Sequence, residues 1–434
     1  MRRSIAPVIA AAAVAVAAIV GSRPATLRAA GDAAYVVSLL PLLGGTTSRG
    51  NSINNSGLVA GYSNLAENQY RHAVIWSADG LIDLGTFGSA NKPKNSSVVW
   101  PVKNTRGVIV GISQTDAPDP WGENWSCSAF FPPATSTGYK CLGFVWENGV
   151  MRRLPTLGGT HGFAAGANNH GQIVGWAENT VRDTTCTPPQ IFQFRAVIWG
   201  PNGNQIDELP LLPGDTSSAA TAINDKGQVT GISGTCDDAI GGATAAHAVV
   251  WDGGVVTEIP NFGGKEFNTP TAINEHGDVA GFGNHVGDVI TEAFIWSKDK
   301  GFQGLGFLDG HGFSEAFGIN NRRQVVGLSC TAAVTDCRAF LWQDGVMADL
   351  NQFVDLPPGV VRLTHAMDIN DDGVFTGRAI TASNTLPAYV ATPVQPAVPL
   401  VARRRHLPPL SVPVDVAREI VGPIGPGRAR LDRR

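Results

Sequence analysis

One unit recurs seven times along the chain: x-L-G-G, then A-I-N-x-x-G-x-V-x-G-x-S, then H-A-V-I-W, then G-x-x-x-x-L. Its Asn falls at Asn54, Asn104, Asn168, Asn224, Asn274, Asn320 and Asn370, at steps of 50, 64, 56, 50, 46 and 50 residues. Its second Gly falls at Gly61, Gly111, Gly175, Gly231, Gly281, Gly327 and Gly377. A period near 50 with several short apolar runs per unit is the mark of a propeller or array, because one small sheet cannot bury both faces alone.

The fourth unit shows how the repeat folds. Residues 219–224 read as a short strand, Asp225-Lys226-Gly227 as a turn, and 228–233 as the returning strand. Residues 246–251 form a third strand ending in Trp, and 255–259 a fourth after Asp252-Gly253-Gly254. Four strands joined by tight turns make one blade. The Trp recurs as Trp76, Trp146, Trp199, Trp251, Trp296 and Trp342, a site suited to packing between blades, and the seventh unit has Ala391 there.

The ends complement each other. The chain's first strand-like segment, residues 35–40, aligns with strand four of the other units, and the seventh unit stops after strand three. The prediction is an all-β, seven-bladed β-propeller of four-stranded antiparallel blades over residues 31–393, its last blade closed by the N-terminal strand. Closure removes exposed sheet edges. Three units depart from the pattern. The second has Lys103 before its Asn and an insertion over residues 115–140, the third has an insertion over 178–193, and the sixth has Arg323 at the turn glycine. Both insertions lie between strands two and three, hence on one face, where repeat proteins often bind.

Residues 1–30 read as an export signal: Arg2 and Arg3, an apolar run over 5–20, then small residues. Residues 394–434 are rich in Pro and Arg and read as a disordered basic tail. The whole chain has 434 residues and a net charge of −4. With +4 on residues 1–30 and +5 on 393–434, the body carries −13, which argues against nucleic-acid binding. Six cysteines suit an oxidising compartment, and the repeat register pairs Cys127 with Cys141, Cys186 with Cys236, and Cys330 with Cys337. No C-x-x-C is present, so no zinc site is expected.

The combination of L-G-G, A-I-N-x-x-G-x-V-x-G and His72-Ala73-Val74, His247-Ala248-Val249 or Arg338-Ala339-Phe340 resembles the bacterial extracellular HAF repeat family over about residues 35–392. The resemblance implies a secreted or surface protein. The His that names the motif is Gly143, Arg195, Glu292, Arg338 or Pro387 in other units, so no shared histidine chemistry is implied.

Candidate sites follow from the repeat. Each Asn opens a turn and is expected to satisfy nearby backbone groups. Asp368-Ile369-Asn370-Asp371-Asp372-Gly373 begins like a calcium loop, but its twelfth position is Ala379, so no metal is expected. The segments linking strand four to the next inner strand carry Arg49, His161, Asp215, Glu266, His311, Glu315 and His365, which are expected to converge on one channel mouth as a ligand site. Trp121, Asn124 and Trp125 offer further surfaces for a sugar. No G-x-S-x-G, G-x-x-x-x-G-K-S/T or H-E-x-x-H occurs, and neither a catalytic residue nor a cofactor is assigned. The reading is an exported, monomeric, non-catalytic binding scaffold for an extracellular or envelope polymer, its partner a glycan or a protein. The alternatives are a glycan lyase or hydrolase at the mouth and a purely structural surface protein.

Overall fold

Each unit folds into a meander because its apolar runs are about one strand long and are separated by turns that need positive φ. A computed structural model describes residues 34–89, 94–123, 128–201, 205–237, 242–333, 335–394, 407, 410 and 412–421. The export-signal segment lies outside the described residues. Seven antiparallel sheets stand in a ring. Blade 4 comprises Ser217–Ile223, Val229–Gly234, His247–Asp252 and Val255–Ile259, within two residues of the strands read from sequence.

Blade 7 is built from both ends of the repeat region. Tyr35–Leu39 pairs antiparallel with Ala388–Pro393, from Tyr35 opposite Pro393 to Leu39 opposite Tyr389. The short strand Val354–Asp355 adds parallel to Tyr35–Leu39, giving this sheet a fifth strand that the repeat pattern does not announce. In blade 2 the described inner strand is only Ser96–Ser97. Pro101 has no N–H to donate to a ladder, and Lys103 leaves the pattern to reach blade 7.

The repeated Asn does what the turn reading expects and more. In all seven units its Oδ1 accepts the backbone N–H groups two and four residues on; in blade 4, Lys226 and Gln228 donate to Asn224 at 3.1 and 3.0 Å. In six units its Nδ2 then donates to the backbone carbonyl of the next blade's Asn. The bonds run Asn54 to Asn104, Asn168 to Asn224 to Asn274 to Asn320 to Asn370, and Asn370 back to Asn54, at 2.9–3.1 Å. Asn104 breaks the chain by donating to Val108 of its own turn at 2.8 Å. Blade-to-blade register is thus held by a belt of amide bonds on one face, here called the turn face.

Glycine is required where the second strand crosses the first. A Cβ on Gly327 or Gly377 would collide with the carbonyl of Glu315 or His365. The sixth turn dispenses with its glycine: Arg323 adopts φ 59°, where Gly57 and its counterparts lie at 75–82°. A side chain in that region costs energy, and the Arg323 guanidinium gains an ion pair with Asp278 of blade 5.

The core lies between blades. Trp199 packs with blade 2 residues such as Phe144 and Leu154, and Trp251 with Val174 and Ala196 of blade 3. The indole N–H of Trp76, Trp199 and Trp251 donates to the carbonyl of Pro41, Pro155 and Pro210 at 2.9, 2.9 and 2.7 Å. A buried indole needs such an acceptor. Two disulfides match the expected pairs: Cys186–Cys236 ties blade 3 to blade 4, and Cys330–Cys337 closes a loop of blade 6. Cys127 lies outside the described residues.

The tail departs from the expectation of disorder. Val414–Val421 forms a helix, α1. Leu410, Val412, Val416 and Ile420 pack against Phe282, Phe313, Phe317, Leu328, Met367 and Ile380. Composition reads this stretch as polar and Pro-rich. Its spaced aliphatic residues find an apolar hollow that exists only once the blades have assembled. No helix among the described residues is long and apolar enough to cross a membrane.

Candidate functional site

A four-stranded meander puts the linkers between blades, the loops joining strands two and three, and both insertions on the face opposite the Asn belt. The seven residues expected to meet there divide into two groups. Arg49, Glu315 and His365 each lie five residues before the repeat Asn, on the inner strands of blades 1, 6 and 7. Those three blades are neighbours around the ring, and all three side chains are buried. At the same position the other units carry Val99, Phe163, Ala219 and Thr269.

The remaining four lie apart, each engaged locally. Asp215 accepts the Ser233 hydroxyl at 2.5 Å, and His311 Nδ1 lies 3.0 Å from Ser329 Oγ. Burial, and then the charge of Arg338, hold His311 below the usual histidine range. Glu266 is exposed beside Gly242. The residues expected at one mouth thus occupy two settings, three on the inner strands of adjacent blades and four in the linkers.

His161 is sealed inside the junction of blades 2 and 3. Its Nδ1 accepts the Cys141 N–H at 3.0 Å, which places the proton on Nε2, 3.4 Å from Asp119 Oδ2. Glu178 Oε2 accepts the N–H groups of Thr160 and His161 at 2.9 and 2.8 Å, and Gln190 donates to Oε1 at 3.2 Å. Glu123 accepts Ile191 and Phe192 N–H groups at 2.9 and 2.8 Å. Burial, and then repulsion from Glu178, push the Glu123 carboxyl up to about 7. Burial would depress His161, but Glu178 and Asp119 outweigh it and hold the imidazole above its usual range. Asp119 and Glu123 come from the blade 2 insertion and Glu178 and Gln190 from the blade 3 insertion. The network is a clasp between the two insertions, closed to solvent.

Around Arg49 a second constellation forms. The guanidinium carbons of Arg49, Arg71 and Arg378 lie 5.2, 3.7 and 5.8 Å from the centroid of the Tyr62 ring. Arg378 also bonds the Tyr62 hydroxyl. Burial pushes the Tyr62 phenol up, and the three guanidinium groups more than reverse this. Glu419 of α1 enters the group: its Oε1 lies 3.0 Å from Arg71 Nη2 and 3.8 Å from Arg378 Nη2. Partial desolvation would raise the Glu419 carboxyl, but Arg71, Arg378 and Arg49 outweigh it and hold it below its ordinary value.

Sequence reading selected Arg49 but missed Tyr62, Arg71, Arg378 and Glu419. A signal was present. Tyr62 and Arg378 each follow the repeat's second Gly, a position held elsewhere by Ile112, Trp176, Ile232, Phe282 and Leu328. An arginine at a core position of a repeat needs an anion, and the anion lies in the tail.

The repeat position occupied by His72 and His247 sits at the start of strand three, and in four units its residue pairs with an acid on strand four. His72 lies 2.8 Å from Asp83 and His247 2.9 Å from Glu258; Arg195–Glu208 and Arg338–Asp349 repeat the pair at 3.5 and 3.4 Å. In those four units the position holds a cross-strand polar pair. Trp121 is 47 % exposed, with its ring centroid 5.6 Å from that of Phe192 and the Arg182 guanidinium 4.7 Å away. Asn124 and Trp125 lie outside the described residues. Asp368 and Asp371, the first acids of the calcium-like segment, go to separate partners: Lys103 for Asp368, and Asn55 and Asn321 for Asp371. Among the described residues no group of three or more His, Cys, Asp or Glu side chains is placed to hold a metal.

Neither a family model nor a curated protein matches the chain. Among solved structures it is similar to the β-propeller domain of the Trilobed protease from Pyrococcus furiosus, at 12% identity over 69% of this chain and 79% of that one, with a TM-score of 0.41. It is also similar to a puromycin hydrolase, at 11% identity over 77% of this chain and 50% of that one (TM-score 0.45). A third likeness is to Pyrococcus horikoshii acylaminoacyl peptidase, at 12% identity over 78% and 49% (TM-score 0.41). The chain spans about half the length of the last two. At these identities the likeness concerns the propeller fold alone.

Proposed function

We propose that this protein is an exported, non-catalytic binding scaffold of the HAF repeat type, whose linker face engages an extracellular or envelope polymer, with a glycan as the ligand class. The observation that supports this reading is Trp121. A large, half-exposed indole sits on an insertion fixed in place by the His161–Asp119–Glu123–Glu178 clasp. A rigid aromatic face beside a guanidinium suits the C–H face and hydroxyls of a sugar. The acid–base alternative needs titratable groups open to substrate, whereas His161, Glu123 and Glu178 are enclosed. The two disulfides accord with export.

The test is thermal unfolding of the full chain against a panel of neutral and acidic oligosaccharides, with Trp121→Ala in parallel. A ligand that binds only the folded state raises the midpoint in a concentration-dependent way. A rise with one sugar class that Trp121→Ala abolishes supports the reading. No rise with any sugar, or a rise that Trp121→Ala leaves intact, refutes it.

A further inference from the structure

The cradle around Tyr62 is built for an anion, and a segment of the same chain fills it. The guanidinium groups are also held by bonds to the propeller itself. Arg71 Nε donates to Asn64 Oδ1 at 3.0 Å and its Nη1 to the Phe130 carbonyl at 2.9 Å. Arg49 Nε donates to Asn51 Oδ1 at 2.6 Å. Arg378 is only 1% exposed and Tyr62 2%. Three cations gathered about one buried phenol carry a desolvation cost that a carboxylate offsets. Arg378 Nη1 additionally donates to the Glu419 backbone carbonyl at 2.5 Å, so the cradle reads main chain as well as side chain.

Beside the cradle lies an apolar hollow. It takes Ile420, which is 3% exposed, among Phe313, Phe317, Leu328, Met367 and Ile380. Cradle and hollow together accept a carboxylate followed by a branched aliphatic side chain on one helical turn. A uronate would satisfy the arginines but place hydroxyls against the hollow's Phe, Leu, Met and Ile, where they lose hydrogen bonds. The pair of features therefore specifies peptide over sugar.

The resident segment is short and tethered. Helix α1 has eight residues, too short to persist in water without its docking contacts. Its Glu419 side chain stays 38% exposed. Twenty residues, 394–413, join it to the last propeller strand. We propose that this site binds an acidic peptide segment of a protein partner, a Glu followed by a β-branched aliphatic residue, and that α1 occupies it in cis and yields it on exchange. A tethered occupant competes at an effective concentration on the order of millimolar, so partner binding becomes measurable when the tether's own contacts are weakened. This inference stands apart from the glycan reading of the Trp121 platform.

The test uses the full chain carrying Glu419→Gln with Ile420→Ser, which removes the anion and the apolar anchor without touching the propeller. A fluorescent peptide of residues 410–421 is titrated and its anisotropy followed, with thermal unfolding to show that each variant is folded. The released variant is expected to bind the peptide at least about tenfold more tightly than the unaltered chain. The same peptide bearing Glu419→Gln is expected to bind at least about tenfold more weakly, and Arg71→Ala in the released chain to lose binding. Trp121→Ala leaves peptide binding unchanged, which separates this result from the glycan test. The inference is overturned if the folded, released variant binds the peptide no better than the unaltered chain. It is equally overturned if the peptide's Glu419→Gln change has no effect, or if a uronate oligosaccharide displaces the peptide at comparable concentration.

Discussion

Lys103 stands where the repeat calls for an apolar residue, and its replacement by Met isolates the reason. Lys103 Nζ lies 2.5 Å from Asp368 Oδ1 and donates to the Ile369 carbonyl at 2.7 Å. It thereby runs from blade 2 past blade 1 to blade 7. The Asp368 side chain is fully enclosed and also accepts the N–H groups of Ile53 and Ile369, each at 2.8 Å. Met keeps the aliphatic stem but leaves the carboxylate without a cation. Removing one partner of a buried pair costs about 3–5 kcal/mol. The Lys103 side chain is 22% exposed, so water can reach the vacated end, and the loss should sit near the low end, about 3 kcal/mol at neutral pH.

The pH dependence carries the sign. Burial pushes the Asp368 carboxyl above its ordinary value, and Lys103 only partly offsets this. The folded state thus binds this proton more readily than the unfolded chain, and Asp368 costs stability as pH rises through its folded value. Lys103→Met raises that value further. The penalty should therefore shrink when urea unfolding is repeated at lower pH, as the carboxyl of the variant takes up its proton. Adding Asp368→Asn should restore most of the stability at pH 7. A penalty equal at both pH values and unmoved by Asp368→Asn would refute the argument.

Three further outcomes follow from the same geometry. Asn224→Ala removes a blade-to-blade bond as well as an Asx turn, whereas Asn104→Ala removes only local bonds, so urea unfolding should show the former more destabilising by about 1 kcal/mol. Cys186→Ser with Cys236→Ser opens a link of sequence separation 50, worth about 4 kcal/mol by chain entropy; the 7-residue separation of Cys330 and Cys337 is worth about 2.5 kcal/mol, and denaturant midpoints should rank accordingly. Because the Glu123 carboxyl is raised to about 7, its favourable contribution is complete below the ordinary glutamate range and is lost as pH climbs from about 4.5 to about 7. Glu123→Gln should flatten that decline by up to about 3 kcal/mol, read from urea unfolding across the window.

The periodicity of seven Asn and seven Gly residues determined the architecture without any structure. Asn satisfies its own turn, Gly lets one strand cross another, and complementary ends demand a ring. Such relations are local or repeat at fixed spacing, so they are legible in one dimension. Two disulfides were legible for the same reason, since the repeat register placed Cys186 and Cys236 at matching loops. What the tertiary structure decided was where departures from the repeat lead. Lys103, Arg323, Arg378 and Tyr62 are visible as exceptions, but each answers to a group on another blade or in the tail: Asp368, Asp278, Glu419 and Arg378 in turn. Likewise His161 joins a clasp between two insertions, a grouping its repeat register does not announce. Only ring closure brings Tyr62 of the first blade against Arg378 of the last. A buried charge must find its counterion in space, and spacing along the chain carries no record of that distance.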